Sequence, residues 1–201
     1  MKRFEIIMLI LFGVALILKL ASIPGGSILS TLSLCSLACF YFYLGLAFFN
    51  NIKLKNIFKG SSYKDISALR IIVSIGVGCG FSALCCGILF KIQHWPGGMI
   101  MLSVGLIEVL IMVIIALIDY FKSNGNLNKT ILLRIAVIGG IGILFWFTSD
   151  FTIIKIQYRN YPAYIKAYER LMDDPSSFEA REQLEIEYNK IIMPREEEVE
   201  K

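Results

Sequence analysis

The chain has 201 residues, of which 56% are hydrophobic, with a mean hydropathy of +0.67 and a net charge of +4. That composition is too apolar for a soluble domain of ordinary make-up and places the chain in a bilayer. Its basic residues fall in short loops beside apolar runs, where they set topology, and this excludes nucleic-acid binding as their use.

A transmembrane helix needs about 20 apolar residues, and five stretches meet that length, at about 4–23, 27–49, 66–90, 97–118 and 132–154. The fold class predicted is all-α: a polytopic membrane bundle of about five transmembrane helices, including two duplicated helical hairpins, with a short amphipathic helical tail. Residues 1–50 read as the first hairpin, 51–65 as a basic cytoplasmic loop and 66–121 as a second hairpin of similar design. Residues 131–155 read as a fifth transmembrane helix and 156–201 as a polar tail. The opening run is long for a signal peptide, lacks an A-x-A-like site, and has a repeat partner deep in the chain, so it reads as a span.

The first run closes on "KLASIPGG" and the third on "KIQHWPGG", 72 residues later. Lys19, Pro24, Gly25 and Gly26 thus align with Lys91, Pro96, Gly97 and Gly98. Such a corner has a physical reading. The lysine snorkels to the interface near carbonyls that lack helical partners, and Pro-Gly-Gly reverses the chain because proline ends a helix and glycine accepts unusual dihedrals. Trp95 suits an interfacial anchor. His94, the only histidine, is either a polar contact there or a group that titrates near neutrality.

The third span carries Gly76 and Gly80 as a G-x-x-x-G face, and the fifth carries Gly139, Gly140 and Gly142. Small residues of this kind let helices approach closely, within the bundle or in a dimer. In the fourth span Glu108 sits about eleven residues in, near the bilayer centre. A charge at that depth costs about 2.5–3.5 kcal/mol on insertion scales, which makes an intramembrane acid a functional candidate. It either hydrogen-bonds another helix as the neutral acid or exchanges a proton in function. The five cysteines all lie in predicted spans and pack as small hydrophobes. No metal site, no cofactor and no catalytic residue is expected, since no nucleophile stands with a base or paired acid.

"KSNGNLNK" reads as a turn before the fifth span. The tail holds eleven of the sixteen acidic residues, and after a Pro-Ser-Ser start it places Phe178, Leu184, Tyr188 and Ile191 near helical spacing. The final "PREEEVEK" is expected to fray. Ten basic residues, from Lys2 to Arg134, fall on one side if the spans alternate, against only Lys19 and Lys91 in the short loops opposite. By the positive-inside rule the N terminus is cytoplasmic, the corners face outward, and the tail is periplasmic.

The stretch from Gly87 to Met112, "GILFKIQHWPGGMIMLSVGLIEVLIM", resembles the N-terminal membrane hairpin of GldL, the gliding-motility and type IX secretion motor protein of Bacteroidota. The resemblance implies that Phe90, Lys91, His94, Trp95, Pro96 and Gly97 form the corner and that Glu108 is the membrane-embedded, proton-coupling acid. A degenerate copy lies near residues 12–46, with Ser36 where Glu108 would fall. It further implies the bacterial inner membrane and, beyond the lipid bilayer, a homo-oligomer or a GldM-like membrane partner. Proteins of that type have two spans and a long cytoplasmic region, which this chain lacks. Two functions follow as alternatives: coupling Glu108 protonation to motion or assembly of a membrane complex, or a structural protein with neither transport nor catalysis.

Overall fold

A computed structural model describes residues 1–21, 23, 25–64, 66–123 and 129–199. All of its regular elements are helical. The first unit, residues 1–19 and 23–148, begins with the antiparallel pair α1 (Lys2–Leu20) and α2 (Gly26–Phe49). Two 3₁₀ turns, Leu54–Asn56 and Gly60–Tyr63, lead to a second pair, α3 (Ala68–Ile92) and α4 (Gly98–Ser123). Then come α5 (Lys129–Arg134), a π-helical turn (Ile135–Gly139) and α6 (Gly140–Phe147).

Local chemistry sets these boundaries. Ser67 caps α3 by accepting from the Arg70 amide at 3.3 Å. At the other end of α2, Asn51 takes a left-handed conformation (φ 56°), and its amide bonds Phe48 while the Ile52 amide reaches back to Ala47 at 2.8 Å. Those two bonds are the Schellman motif that closes a helix C-terminus.

The unit is built inside out for water and correctly for lipid. Ile10, Ile17, Ile28, Leu32, Ile100 and Leu110 point outward, whereas Ser30, Ser33 and Ser74 are buried. The buried hydroxyls are kept from costing free energy: Ser33 donates to the Leu29 carbonyl at 2.8 Å, and Ser74 accepts from Asn50 at 3.0 Å. Glycines carry the closest approaches. A Cβ on Gly78 would stand 2.7 Å from the Tyr41 carbonyl oxygen of α2, and one on Gly87 would stand 2.7 Å from the Leu102 amide of α4. The Gly76/Gly80 face lies against Met112 and Val109, so it packs within the bundle. Of Gly139, Gly140 and Gly142 only Gly142 stands against neighbours, Leu84 and Leu106. Tyr41, Phe81 and Leu84 form the middle of the core.

By length and composition three helices can cross a membrane, Gly26–Phe49, Ala68–Ile92 and Gly98–Ile118, or four if the interrupted pair Ile131–Phe147 and Asp150–Gln157 is one span. Five spans were expected from apolar length alone. The first helix differs because Lys2, Arg3, Glu5 and Lys19 crowd its 19 residues. The fifth is not continuous: Thr148 turns extended (ψ 122°) and Ser149 starts a new helix, its hydroxyl accepting from the Thr152 amide at 3.1 Å.

The second unit takes in residues 20–22 and 149–201. It comprises α7 (Asp150–Gln157), α8 (Pro162–Asp173) and α9 (Phe178–Val199). Pro162 opens α8 at a first-turn position, where no amide donor is needed. Ile154, Tyr164 and Ile191 make a small core bordered by Tyr158, Tyr161, Tyr168 and Leu184. Burial pushes the Tyr164 phenol above its ordinary range, and the neighbouring tyrosines add to this. Asp174 accepts from the Ser176 hydroxyl and amide at 2.7 and 3.1 Å in the turn before α9, which holds its carboxyl below the usual carboxylate range. Of the apolar residues at helical spacing in α9, Ile191 is buried whereas Phe178 and Tyr188 are exposed. Helix α9 runs to Val199 where fraying was expected, and the expected turn over residues 124–128 lies outside the described residues.

Candidate functional site

The Lys91–Gly98 corner is a helix cap followed by a turn. Helix α3 ends at Ile92, His94 is left-handed (φ 57°), its amide bonds the Lys91 carbonyl at 3.3 Å, and the Trp95 amide bonds the Phe90 carbonyl at 2.8 Å. This is again the Schellman pattern, here with its apolar contact: the Phe90 and Trp95 rings lie 5.5 Å apart. Histidine is among the few residues besides glycine that are enriched in the left-handed region, which accounts for its presence beside an apolar run. Pro96 and Gly97 are exposed, Gly97 turns at φ 91°, and Gly98 has no room for a Cβ, which would come within 3.0 Å of the Lys91 amide nitrogen.

The first corner makes corresponding contacts 72 residues earlier. The Ile23 amide bonds the Leu18 carbonyl at 2.9 Å, Gly25 turns at φ 93°, and a Cβ on Gly26 would meet the Lys19 amide nitrogen at 2.7 Å. Pro24 lies outside the described residues. The two lysines differ in use. Lys19 crosses to the other corner and donates to the Ile92 carbonyl at 2.7 Å and to Gln93 Oε1 at 2.8 Å. Gln93 in turn donates to the Ser27 carbonyl and to Thr31 Oγ1, each at 2.9 Å. Lys91 is buried, with its ammonium 3.2 Å from Met99 Sδ. Lys19 thus caps a helix of the other hairpin and ties the two corners together.

From the φ of His94 we expect His94→Asn to leave stability nearly unchanged and His94→Val to lower it by about 1–2 kcal/mol, the left-handed cost for a side chain branched at Cβ. Thermal unfolding of the purified protein in mild detergent measures both; equal effects would mean that the ring, and not the backbone angle, matters.

Glu108 occupies the middle of α4, half-buried, beside the exposed Val104, Ile107 and Ile111. Among the described residues its carboxyl makes no hydrogen bond or ion pair. Of the three helices long and apolar enough to cross a membrane, α4 is the least covered: 17% of its span is buried within the chain, against 56% for α2 and 61% for α3. The corner residues and Glu108 share one hairpin and are not brought together in a single site.

A second charged constellation escaped the sequence reading. Glu5 is buried at the start of α1, and Arg134 at the end of α5 grips it in a fork, Nε to Oε1 at 2.8 Å and Nη2 to Oε2 at 2.9 Å. Tyr41 donates its hydroxyl to Glu5 Oε1 at 2.8 Å, and the guanidinium lies 4.4 Å over the Phe48 ring. The only signal in the sequence was a pair of opposite charges placed near the same end of two different apolar runs. Among the described residues no group of three metal-ligating side chains comes together.

Residues 76–128 match the GldL N-terminal domain family. The match holds the second corner and Glu108 and extends beyond the Gly87–Met112 stretch read from sequence; the first corner lies outside it. No characterised protein and no solved structure matches the chain.

Proposed function

We propose that this is a GldL-related membrane protein in which protonation of Glu108 is coupled to motion or assembly of a complex in the bacterial inner membrane. The observation that carries this reading is an unpaired carboxyl halfway along the least covered of the three membrane-length helices. Hydrocarbon does not tolerate such a group as a lasting, solitary charge. It is either neutral, or ionised only while water or a partner reaches it, and alternation between those conditions is what a proton-driven element needs. The N terminus is then cytoplasmic and the C-terminal tail periplasmic, with a second copy or a GldM-like membrane protein covering α4. No step of covalent catalysis is assigned.

A purely structural role is the second reading, favoured by the Lys19–Gln93 brace and the Glu5–Arg134 fork, which tie the helices into one arrangement. Complementation of a deletion strain separates the two. Glu108→Gln keeps size and much of the hydrogen-bonding capacity, so membrane yield and oligomeric state should be unchanged. Activity driven by the proton gradient should be lost, and Glu108→Asp should restore part of it. Full complementation by Glu108→Gln would leave the structural reading.

A further inference from the structure

A pocket of about 310 Å³ opens at the end of the bundle where α1 begins and α2 ends. Its walls are Phe48 and Ile52, both buried, and Leu54, half exposed; its rim carries Lys2, Asn51 and Lys53. The Schellman cap of α2 makes this shape, because the left-handed Asn51 turns the chain back under the helix end and carries Ile52 and Lys53 toward the first turn of α1. We propose that the pocket holds the headgroup of an anionic phospholipid, with the phosphate between Lys2 and Lys53 and the glycerol end against Phe48 and Leu54.

Three observations favour that occupant over a soluble metabolite. The lining is amphipathic in the order a lipid requires, with apolar walls beneath a cationic rim. Neither lysine is in an ion pair among the described residues, and no acid lines the pocket. The one carboxylate on the adjacent turn, Glu5, has both oxygens engaged by Arg134 and one also by Tyr41, so it does not neutralise the rim. The pocket also lies at the end of α2, a helix long and apolar enough to cross a membrane, and basic residues beside the end of a membrane helix attract anionic leaflets. Its volume is at the small end of ligand sites, suited to a headgroup and not to whole acyl chains. None of this depends on Glu108.

The test uses the full chain purified in mild detergent from mixed vesicles of phosphatidylglycerol and phosphatidylcholine, with retained lipids counted by native mass spectrometry. The wild type should retain phosphatidylglycerol in preference to phosphatidylcholine. Lys2→Gln with Lys53→Gln should reduce that retention at least about tenfold. The double change Lys55→Gln with Lys59→Gln removes the same amount of charge from the loop that holds Lys53 and should not. Leu54→Trp keeps every charge and fills the cavity, and it should also lower retention. Equal losses in the two lysine pairs, no preference between the lipids, or displacement by millimolar inorganic phosphate would each overturn the proposal.

Discussion

Arg134→Met should lower stability by about 3–5 kcal/mol, the cost of leaving a buried carboxylate without its partner. Glu5 is 4% exposed, its two oxygens face a bidentate guanidinium, and the remaining contact is the Tyr41 hydroxyl, which cannot replace a full charge. The Arg134 side chain is itself largely covered, at 15% exposure, so solvent screens the pair little. The double variant Glu5→Gln with Arg134→Met should recover most of the loss, because removing both charges removes the desolvation problem and the amide oxygen still accepts from Tyr41. Thermal unfolding in detergent across the four members of the cycle measures the coupling. A double variant as unstable as Arg134→Met would mean that Arg134 acts through packing on Phe48 and not through its charge.

The other large effect is expected at the glycines between α3 and α4. A Cβ on Gly87 would stand 2.7 Å from the Leu102 amide nitrogen, and one on Gly105 would stand 2.9 Å from the Gly80 carbonyl oxygen. Both obstacles are backbone, which cannot rotate away as a side chain does. Alanine at either position must push the helices apart, at a cost of about 1–3 kcal/mol each, and the two together should abolish folded yield. Gly13→Ala is the matched control, since nothing stands within 4 Å of its Cβ position. It should be neutral or should stabilise by up to about 1 kcal/mol through helix propensity. Size-exclusion profiles and thermal unfolding of the four variants decide; equal behaviour at Gly13 and Gly87 would mean that the α3–α4 contact is looser than described.

Much of this architecture is legible in the sequence because lipid imposes simple rules. Long apolar runs with small residues on one face read as packed helices, and the 72-residue echo of Lys, Pro, Gly and Gly marks two like corners. The geometry of His94 was within reach too: a residue tolerant of positive φ, two positions past a helix end, before a tryptophan that can pack back on Phe90. Other features depend on partners that local sequence does not contain. Glu5 and Arg134 are 129 positions apart, and the α1 charges read only as topology signals until the fold brings them together. Lys19 reads as a snorkelling side chain, yet it reaches Gln93 in the other hairpin. The break at Thr148 and Ser149 is masked by hydropathy, which averages over a capping serine, and so the predicted fifth span runs on through residues 149–154. Phe178 fits the apolar spacing of α9, but the small tyrosine-lined core takes in Leu184 and Ile191 and not Phe178.

The proposed exchange of a proton at Glu108 is tested most directly by its reactivity. A hydrophobic carbodiimide adds to a protonated carboxyl in an apolar setting, and the stable adduct is located by peptide mass. Native membranes holding the wild type should give an adduct at Glu108 whose extent falls as pH rises and changes when the proton gradient is collapsed, with none at that peptide in Glu108→Gln. Labelling that stays constant across the pH series and ignores the gradient would contradict proton exchange at Glu108 and leave the carboxyl as a fixed neutral group of a structural protein.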